Sequence, residues 1–221
     1  MKKILLHAVC FVWLTGPALA DAEVYNWSGF YAGVNGGYAG GSFGYPISIS
    51  GGGIVANASF DFPSSGFLGG IQTGYNFQSG NWVGGFETDI QVSAVEGRLD
   101  LSTLGMTPPD FISTQVNWFG TVRPRIGYAF ERLLLFGTGG FAFGETTISD
   151  GVDGIAVGRT GFTAGGGAEI GVTEKFSLKF QYDYVDFGTR SLVSGSLFGV
   201  SFDVGSRVSF HTGRFGLNWH F

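Results

Sequence analysis

Beyond residue 20, apolar residues fall on every second position. In "FLGGIQTGYNF", Phe67, Gly69, Ile71, Thr73, Tyr75 and Phe77 share one face. In "WVGGFETDIQVS", Trp82, Gly84, Phe86, Thr88, Ile90 and Val92 lie on one side, with Glu87, Asp89, Gln91 and Ser93 on the other. A period of two is the strand signal. No segment keeps a helical period, and glycine, at ~1 kcal/mol per helical position, is spread too evenly for long helices. Eight strands are predicted, at 27–38, 66–78, 81–95, 115–130, 133–144, 160–172, 176–187 and 206–221. Most reach the roughly 9–11 residues that a tilted strand needs to cross a bilayer.

The connections alternate in length. Ser79-Gly80, Glu131-Arg132 and Thr173-Glu174-Lys175 read as tight turns, whereas 39–65, 96–114, 145–159 and 188–205 read as long Gly/Ser/Asp-rich loops. This is the rhythm of an up-and-down antiparallel meander. A two-residue turn at Ser79-Gly80 sets Tyr75 opposite Gly84, Thr73 opposite Phe86 and Ile71 opposite Thr88. The turn at Glu131-Arg132 sets Tyr128 opposite Leu135 and Ile126 opposite Gly137. The turn at 173–175 sets Tyr182 opposite Gly166 and Phe180 opposite Ala168. All three keep the apolar faces together, where a slip of one would separate them. Aromatics repeatedly fall opposite Gly or Ala, an arrangement that covers glycine in a sheet.

Alternation does not say which way the apolar face points. A soluble barrel turns it inward and a membrane barrel turns it toward lipid. Composition decides. Charged residues are 13% of the chain, about half the ~25% of a soluble domain, too few to coat a water-facing exterior. The polar face also collects both signs at mid-strand: Glu87 and Asp89, Arg123 and Arg125, Glu169, Lys179 and Asp183, and Arg214. Facing inward, these can pair, with Glu87 and Asp89 set against Arg123 and Arg125 of the neighbouring strand. Trp27, Trp82, Tyr128 and Trp219 lie near strand ends on one rim, where an interfacial girdle belongs. The expectation is an all-β, eight-stranded transmembrane barrel.

The first 20 residues have a separate job. Lys2 and Lys3, an apolar run from Ile4 to Leu14, and Ala18-Leu19-Ala20 read as a secretory signal peptide cleaved after Ala20. That leaves residues 21–221 as a single barrel domain. Cys10 falls within the peptide, so the remaining chain has no cysteine for a disulfide or thiolate site. Removing both lysines leaves 10 basic against 17 acidic residues, a net charge of −7. That balance argues against a nucleic-acid partner, which would want a basic face.

"WSGFYAGVNGGYAGG", "WFGTVRPRIGYAF", "LLFGTGGFAFG", "AGGGAEIGVTEKFSLKFQYDYVDFG" and the terminal "GRFGLNWHF" resemble the small alphaproteobacterial outer-membrane β-barrel proteins, the RopB-type or OmpA-like membrane-domain family. The resemblance spans the chain after the signal peptide. It implies a barrel in the outer membrane, periplasmic termini and surface loops. Family members are described as porin-like, as surface antigens and adhesins, and some as haemin-binding. Two positions depart from the pattern. Pro124 stands where a small residue such as Gly is expected and predicts a bulge or local break. Gln181 stands where Glu is expected and removes one interior anion. The C-terminal spacing of Arg214, Gly216, Trp219 and Phe221 resembles the signal by which the outer-membrane insertion machinery recognises its clients.

Chemical motifs are sparse. "GTGGFA" (Gly137, Gly139, Ala142) fits a dinucleotide fingerprint formally, but no helix follows to hold a pyrophosphate. Asp150 and Asp153 lack the spacing of a calcium loop. His211 and His220 fall on opposite faces of one strand, so they form no local metal pair; His211, toward the apolar side, is a candidate haem contact. No nucleophile–base set appears, and neither an enzyme nor a resident cofactor is expected. The expectation is a surface-interaction protein with a plugged lumen and four long loops. Its partners would be outer-membrane lipid, the insertion machinery and, through the loops, a host surface or haem. A narrow porin-like channel is the alternative.

Overall fold

The structure, a computed structural model, describes residues 25–100, 111–150 and 153–221. The expected signal peptide and its cleavage residues Ala18 and Ala20 lie outside them. Eight strands run in chain order: β1 (Gly29–Gly51), β2 (Ile54–Ser79), β3 (Trp82–Asp100), β4 (Phe111–Phe130), β5 (Leu133–Ser149), β6 (Gly154–Gly171), β7 (Phe176–Leu197) and β8 (Val200–His220). Each pairs antiparallel with the next and β8 returns to β1, closing the ring. Pairing can be followed once around, from Ala32 through Thr73, Thr88, Val122, Phe141, Phe162, Asp186 and Ser209 to Ser42, ten residues beyond the start. That stagger obliges the strands to tilt, typically by about 35–45°.

The apolar face points out. Phe86 is 67% exposed, and Phe67, Ile71, Phe77, Ile126 and Phe215 are similarly bare, while the alternate positions are buried. Aromatics concentrate in two bands. Phe30, Phe77, Trp82, Tyr128, Phe176 and Trp219 ring the rim that carries the chain termini, and Tyr38, Phe67, Trp118, Phe143, Phe162 and Tyr184 form a second ring farther along. Trp82 meets Tyr128 edge-on at 5.3 Å. A band of lipid-facing side chains between aromatic girdles is the exterior of a membrane barrel.

The register agrees with the sequence-based pairing at two turns and differs at one. Tyr128 faces Leu135, Tyr182 faces Gly166 and Phe180 faces Ala168. At the first hairpin the turn residues are Gly80-Asn81, because Ser79 itself pairs with Trp82. Gly80 takes the left-handed conformation (φ 59°) that the turn needs. Tyr75 therefore faces Phe86, and Phe77 faces Gly84. The shift is an even number of residues, so every side chain keeps its face.

The described parts of the long outer loops are largely strand. β1 and β2 stay paired up to Gly51↔Ile54, and β7 and β8 up to Leu197↔Val200. Their tips are the two-residue turns Gly52-Gly53 and Phe198-Gly199, all four residues at positive φ. Because β8 also pairs with β1 as far as Gly51↔Val200, strands β2, β1, β8 and β7 continue beyond the second girdle as one projecting sheet. Pro124 does not shift the register. No β4–β5 pair forms at Arg123 or Pro124, but Val122↔Phe141 and Arg125↔Thr138 lie in the same frame, and the Thr138 hydroxyl donates to the Pro124 carbonyl (2.9 Å). The irregularity in β4 is at Asn117, between Val116 and Trp118, and it reverses which alternate residues face inward.

Ring closure brings β1 and β8 close enough that a Cβ at Gly37 would press on the Gly213 carbonyl and lie 2.9 Å from Arg214 Cα, whereas one at Gly84 would meet nothing within 4 Å. Gly37→Val is predicted to lower the unfolding free energy by about 1–3 kcal/mol or more, and Gly84→Ala to leave it nearly unchanged. Urea titration of the refolded barrel checks both.

Candidate functional site

The lumen is filled in three layers. At the rim of the termini, Tyr25 and Trp27 fold under the barrel and close its mouth. Trp27 is 0% exposed and packs with Tyr25, Val83, Ala129, Leu134 and Phe136. The segment is tied down at three points. The Tyr25 amide donates to the Glu131 carbonyl (3.1 Å), its hydroxyl to the Glu174 carbonyl (3.2 Å), and the Trp27 amide to Gln78 Oε1 (2.7 Å). Trp27 is thus an interior plug and not a member of the interfacial girdle, unlike Trp82, Tyr128 and Trp219.

The middle layer gathers all eight charged residues singled out in the sequence. Arg123, with no exposed surface, donates through Nη2 to Glu87 Oε1 (2.8 Å) and Asp89 Oδ2 (2.5 Å), and its Nη1 lies 3.1 Å from Asp183 Oδ1. Arg125 donates to Glu169 Oε2 (2.9 Å), Lys179 to Glu87 Oε2 (2.7 Å) and Arg214 to Asp183 Oδ2 (2.5 Å), with a further approach to Asp89 (3.4 Å). Charges this deeply buried are tolerable only when each finds an opposite charge and further hydrogen bonds. Four cations here meet four carboxylates. Gln181 belongs to that balance: it faces Arg214 across β7–β8 and donates to Asp183 (2.9 Å). A carboxylate in its place would leave the cluster one anion in excess.

Neutral groups extend the network. The Tyr31 hydroxyl donates to Glu87 (2.7 Å) and accepts from Arg125 (2.9 Å). Asn218 donates to Glu169 Oε1 (2.6 Å) and accepts from Gln72 (2.5 Å). Ser177 Oγ donates to Glu169 (2.5 Å) and lies 2.9 Å from His220 Nε2, beneath the rings of Tyr25 and Trp27. Tyr31, Gln72, Ser177 and Asn218 are not among the charged residues picked out in the sequence. Parity marks two of them, since Ser177 and Asn218 share the inward face with Lys179 and Arg214 on their own strands; β1 has no charged residue and β2 only the exposed Asp61, so no inward charge marks Tyr31 or Gln72.

The third layer is apolar. Phe43, Phe62, Leu68, Val95, Val116, Phe119, Val185, Phe187, Val208 and Phe210 fill the bore above the ion network. The other sequence candidates lie outside the lumen or serve the fold. His211 stands on the outer wall, stacked on Tyr182 with its Nδ1 2.6 Å from the Tyr182 hydroxyl, and beside Tyr184. Gly137, Gly139 and Ala142 lie within β5. The Asp150 carboxylate accepts from the Asp153 amide (2.9 Å), closing the β5–β6 tip. Of the C-terminal residues, Arg214 points inward, and Trp219 and Phe221 stack on each other outside (5.8 Å, 9°). A Cβ at Gly216 would meet Gln72 Nε2 at 3.0 Å, and the Phe221 amide donates to the Phe30 carbonyl (3.0 Å) as β8 meets β1.

Residues 8–221 match the family described as outer membrane protein beta-barrel domain. The chain is similar to the 31 kDa outer-membrane immunogenic protein of Brucella melitensis (37% identity, covering 100% of both chains). It is also similar to the 22 kDa outer membrane protein of Rhizobium leguminosarum bv. viciae (34% identity, 77% of this chain and 70% of that one). Its fold is similar to the crystal structure of the outer membrane protein OprG from Pseudomonas aeruginosa (13% identity, TM-score 0.51, 90% of this chain and 99% of that one). The matching chains are outer-membrane proteins, and this chain resides in the outer membrane.

Arg123→Ala leaves Glu87, Asp89 and Asp183 short of their shared cation. The expected loss is about 3–5 kcal/mol of unfolding free energy, measured by urea titration in detergent against the wild-type barrel.

Proposed function

This chain belongs to the outer-membrane protein β-barrel family, and from that premise we propose that it is a closed, non-conducting barrel that works through its strands beyond the membrane. One observation carries the reading: the bore is occupied along its length by an aromatic plug, a charge-balanced network and an apolar layer. An eight-stranded barrel is only wide enough to be filled by its own side chains. A hydrated ion would have to strip its water to pass the apolar layer and displace paired charges below it.

In this reading the rim of tight turns and chain termini faces the periplasm, and the projecting sheet of β2, β1, β8 and β7 faces outward. Phe198, at the β7–β8 tip, is 97% exposed, and Ile54, Val55 and Leu197 are also bare. Exposed apolar groups so far from the bilayer suit contact with another surface, such as a host cell. The Brucella relative is named an immunogenic protein, which fits an exposed extension. Membrane lipid is the partner of the wall. The last strand, with Arg214, Gly216, Trp219 and Phe221, is the segment the insertion machinery would read, since it must pair with β1 to close the ring. His211, on the wall, would meet haem only from the lipid side. The chain has no enzymatic role in this account.

Planar-bilayer recording tests the reading. The wild-type barrel and Arg123→Ala are both predicted to give no unitary conductance, because opening the ionic layer leaves the other two in place. Discrete current steps from the wild type would favour the narrow channel.

A further inference from the structure

Beyond the ion network, one buried cation has no carboxylate partner among the described residues. Arg159 on β6 is 2% exposed. Its guanidinium donates only to neutral oxygens: Thr146 Oγ1 (3.0 Å), the Ser206 carbonyl (2.8 Å) and Ser206 Oγ (2.8 Å). Arg123, Arg125, Lys179 and Arg214 each have a carboxylate partner; Arg159 has none among the described residues. A second cation aggravates the imbalance. Arg190 pairs directly with Ser206 across β7–β8, which puts its side chain on the face to which Arg159 binds. Arg190 also has no carboxylate partner among the described residues. Burial, partly offset by Tyr45 and reinforced by the charge of Arg190, lowers the Arg159 guanidinium to about 10. Arg159 lies three residues past Phe162, outside the girdles.

The β6–β7 pairing ends short of Arg159. β6 and β7 pair only from Gly171↔Ser177 to Phe162↔Asp186. Beyond that point each strand keeps its other neighbour, β6 with β5 as far as Gly154 and β7 with β8 as far as Leu197. The two hairpins therefore part at the second aromatic ring and leave a seam beside Arg159. On the outer wall at this seam, a Cβ at Gly158 would meet nothing within 4 Å. Two arginines without counter-charge need an anion, and a guanidinium with unused N–H groups matches phosphate geometry.

We propose that Arg159 and Arg190 form an anion site at the open β6–β7 seam that takes a phosphate group, with the headgroup of a phosphorylated glycolipid in the adjacent leaflet as its source. The seam lies level with the headgroups that border the second girdle. The site does not depend on whether the lumen conducts; only its lipid source depends on the far rim facing outward.

The test uses the full barrel. In detergent, inorganic phosphate should raise the temperature at which the folded band converts to the unfolded band on gels, relative to chloride at equal ionic strength. In nanodiscs, diphosphoryl lipid A added to phosphatidylcholine should raise it relative to phosphatidylcholine alone. Arg159→Gln and Arg190→Gln should each weaken the half-saturating concentration by about tenfold. Arg190 is exposed, so Arg190→Gln carries the test if Arg159→Gln does not fold. Protection by phosphate without added effect of lipid A supports the site and assigns it a soluble anion; protection by lipid A assigns the headgroup. Equal responses of wild type and Arg190→Gln, or no response to either probe, would overturn it.

Discussion

In hydrocarbon a strand cannot leave its backbone unpaired, so β8 must return to β1. Most of the structure follows from that closure. Eight strands with a stagger of ten make a narrow bore, and the inward half of every alternating strand must fit inside it. Large side chains then need small neighbours, and glycine at positions such as Gly37 lets adjacent backbones and the Arg214 side chain share the space. The low charge count has the same origin. The outer wall faces lipid, so ions are confined to the bore, the turns and the projecting extensions, and those in the bore must cancel.

The cancellation explains one departure from the family pattern. Gln181 replaces an expected carboxylate, and the network around it counts four cations and four anions. Neutrality is a local property of that layer, since the bore above it is apolar and the mouth below it aromatic. Arg159 lies beyond the layer and outside the balance, which is why it stands out. The layers also divide the labour: the girdled part of the barrel provides rigidity, and the sheet that stands past it provides surface.

The strands, their faces and the members of the ion network were legible because lipid on one side and a crowded bore on the other enforce strict alternation. An error of two residues at Gly80 did no harm, since parity survived it. What was not legible follows from the loss of that contrast. Beyond the second girdle both faces of Ile54–Pro63 or Thr189–Leu197 can meet water, alternation lapses, and paired strands read as loops. The inward shift at Asn117 has no marker stronger than the adjacent "WF", and it concealed part of the apolar layer. Trp27 carries the composition of a girdle residue; only the hydrogen bonds that fold Tyr25–Trp27 under the rim distinguish a plug. The isolation of Arg159 depends on what is absent around it, which a linear sequence does not display.

The central claim is orientation: even-numbered residues of β3 face lipid and odd-numbered ones face the bore. Single spin labels placed along residues 82–92 in reconstituted vesicles test it most directly. The account predicts that oxygen collision rates alternate with a period of two, with maxima at Trp82, Phe86, Thr88, Ile90 and Val92 and minima at Val83, Glu87, Asp89 and Gln91. Maxima at the odd positions, or rates without alternation, would contradict it.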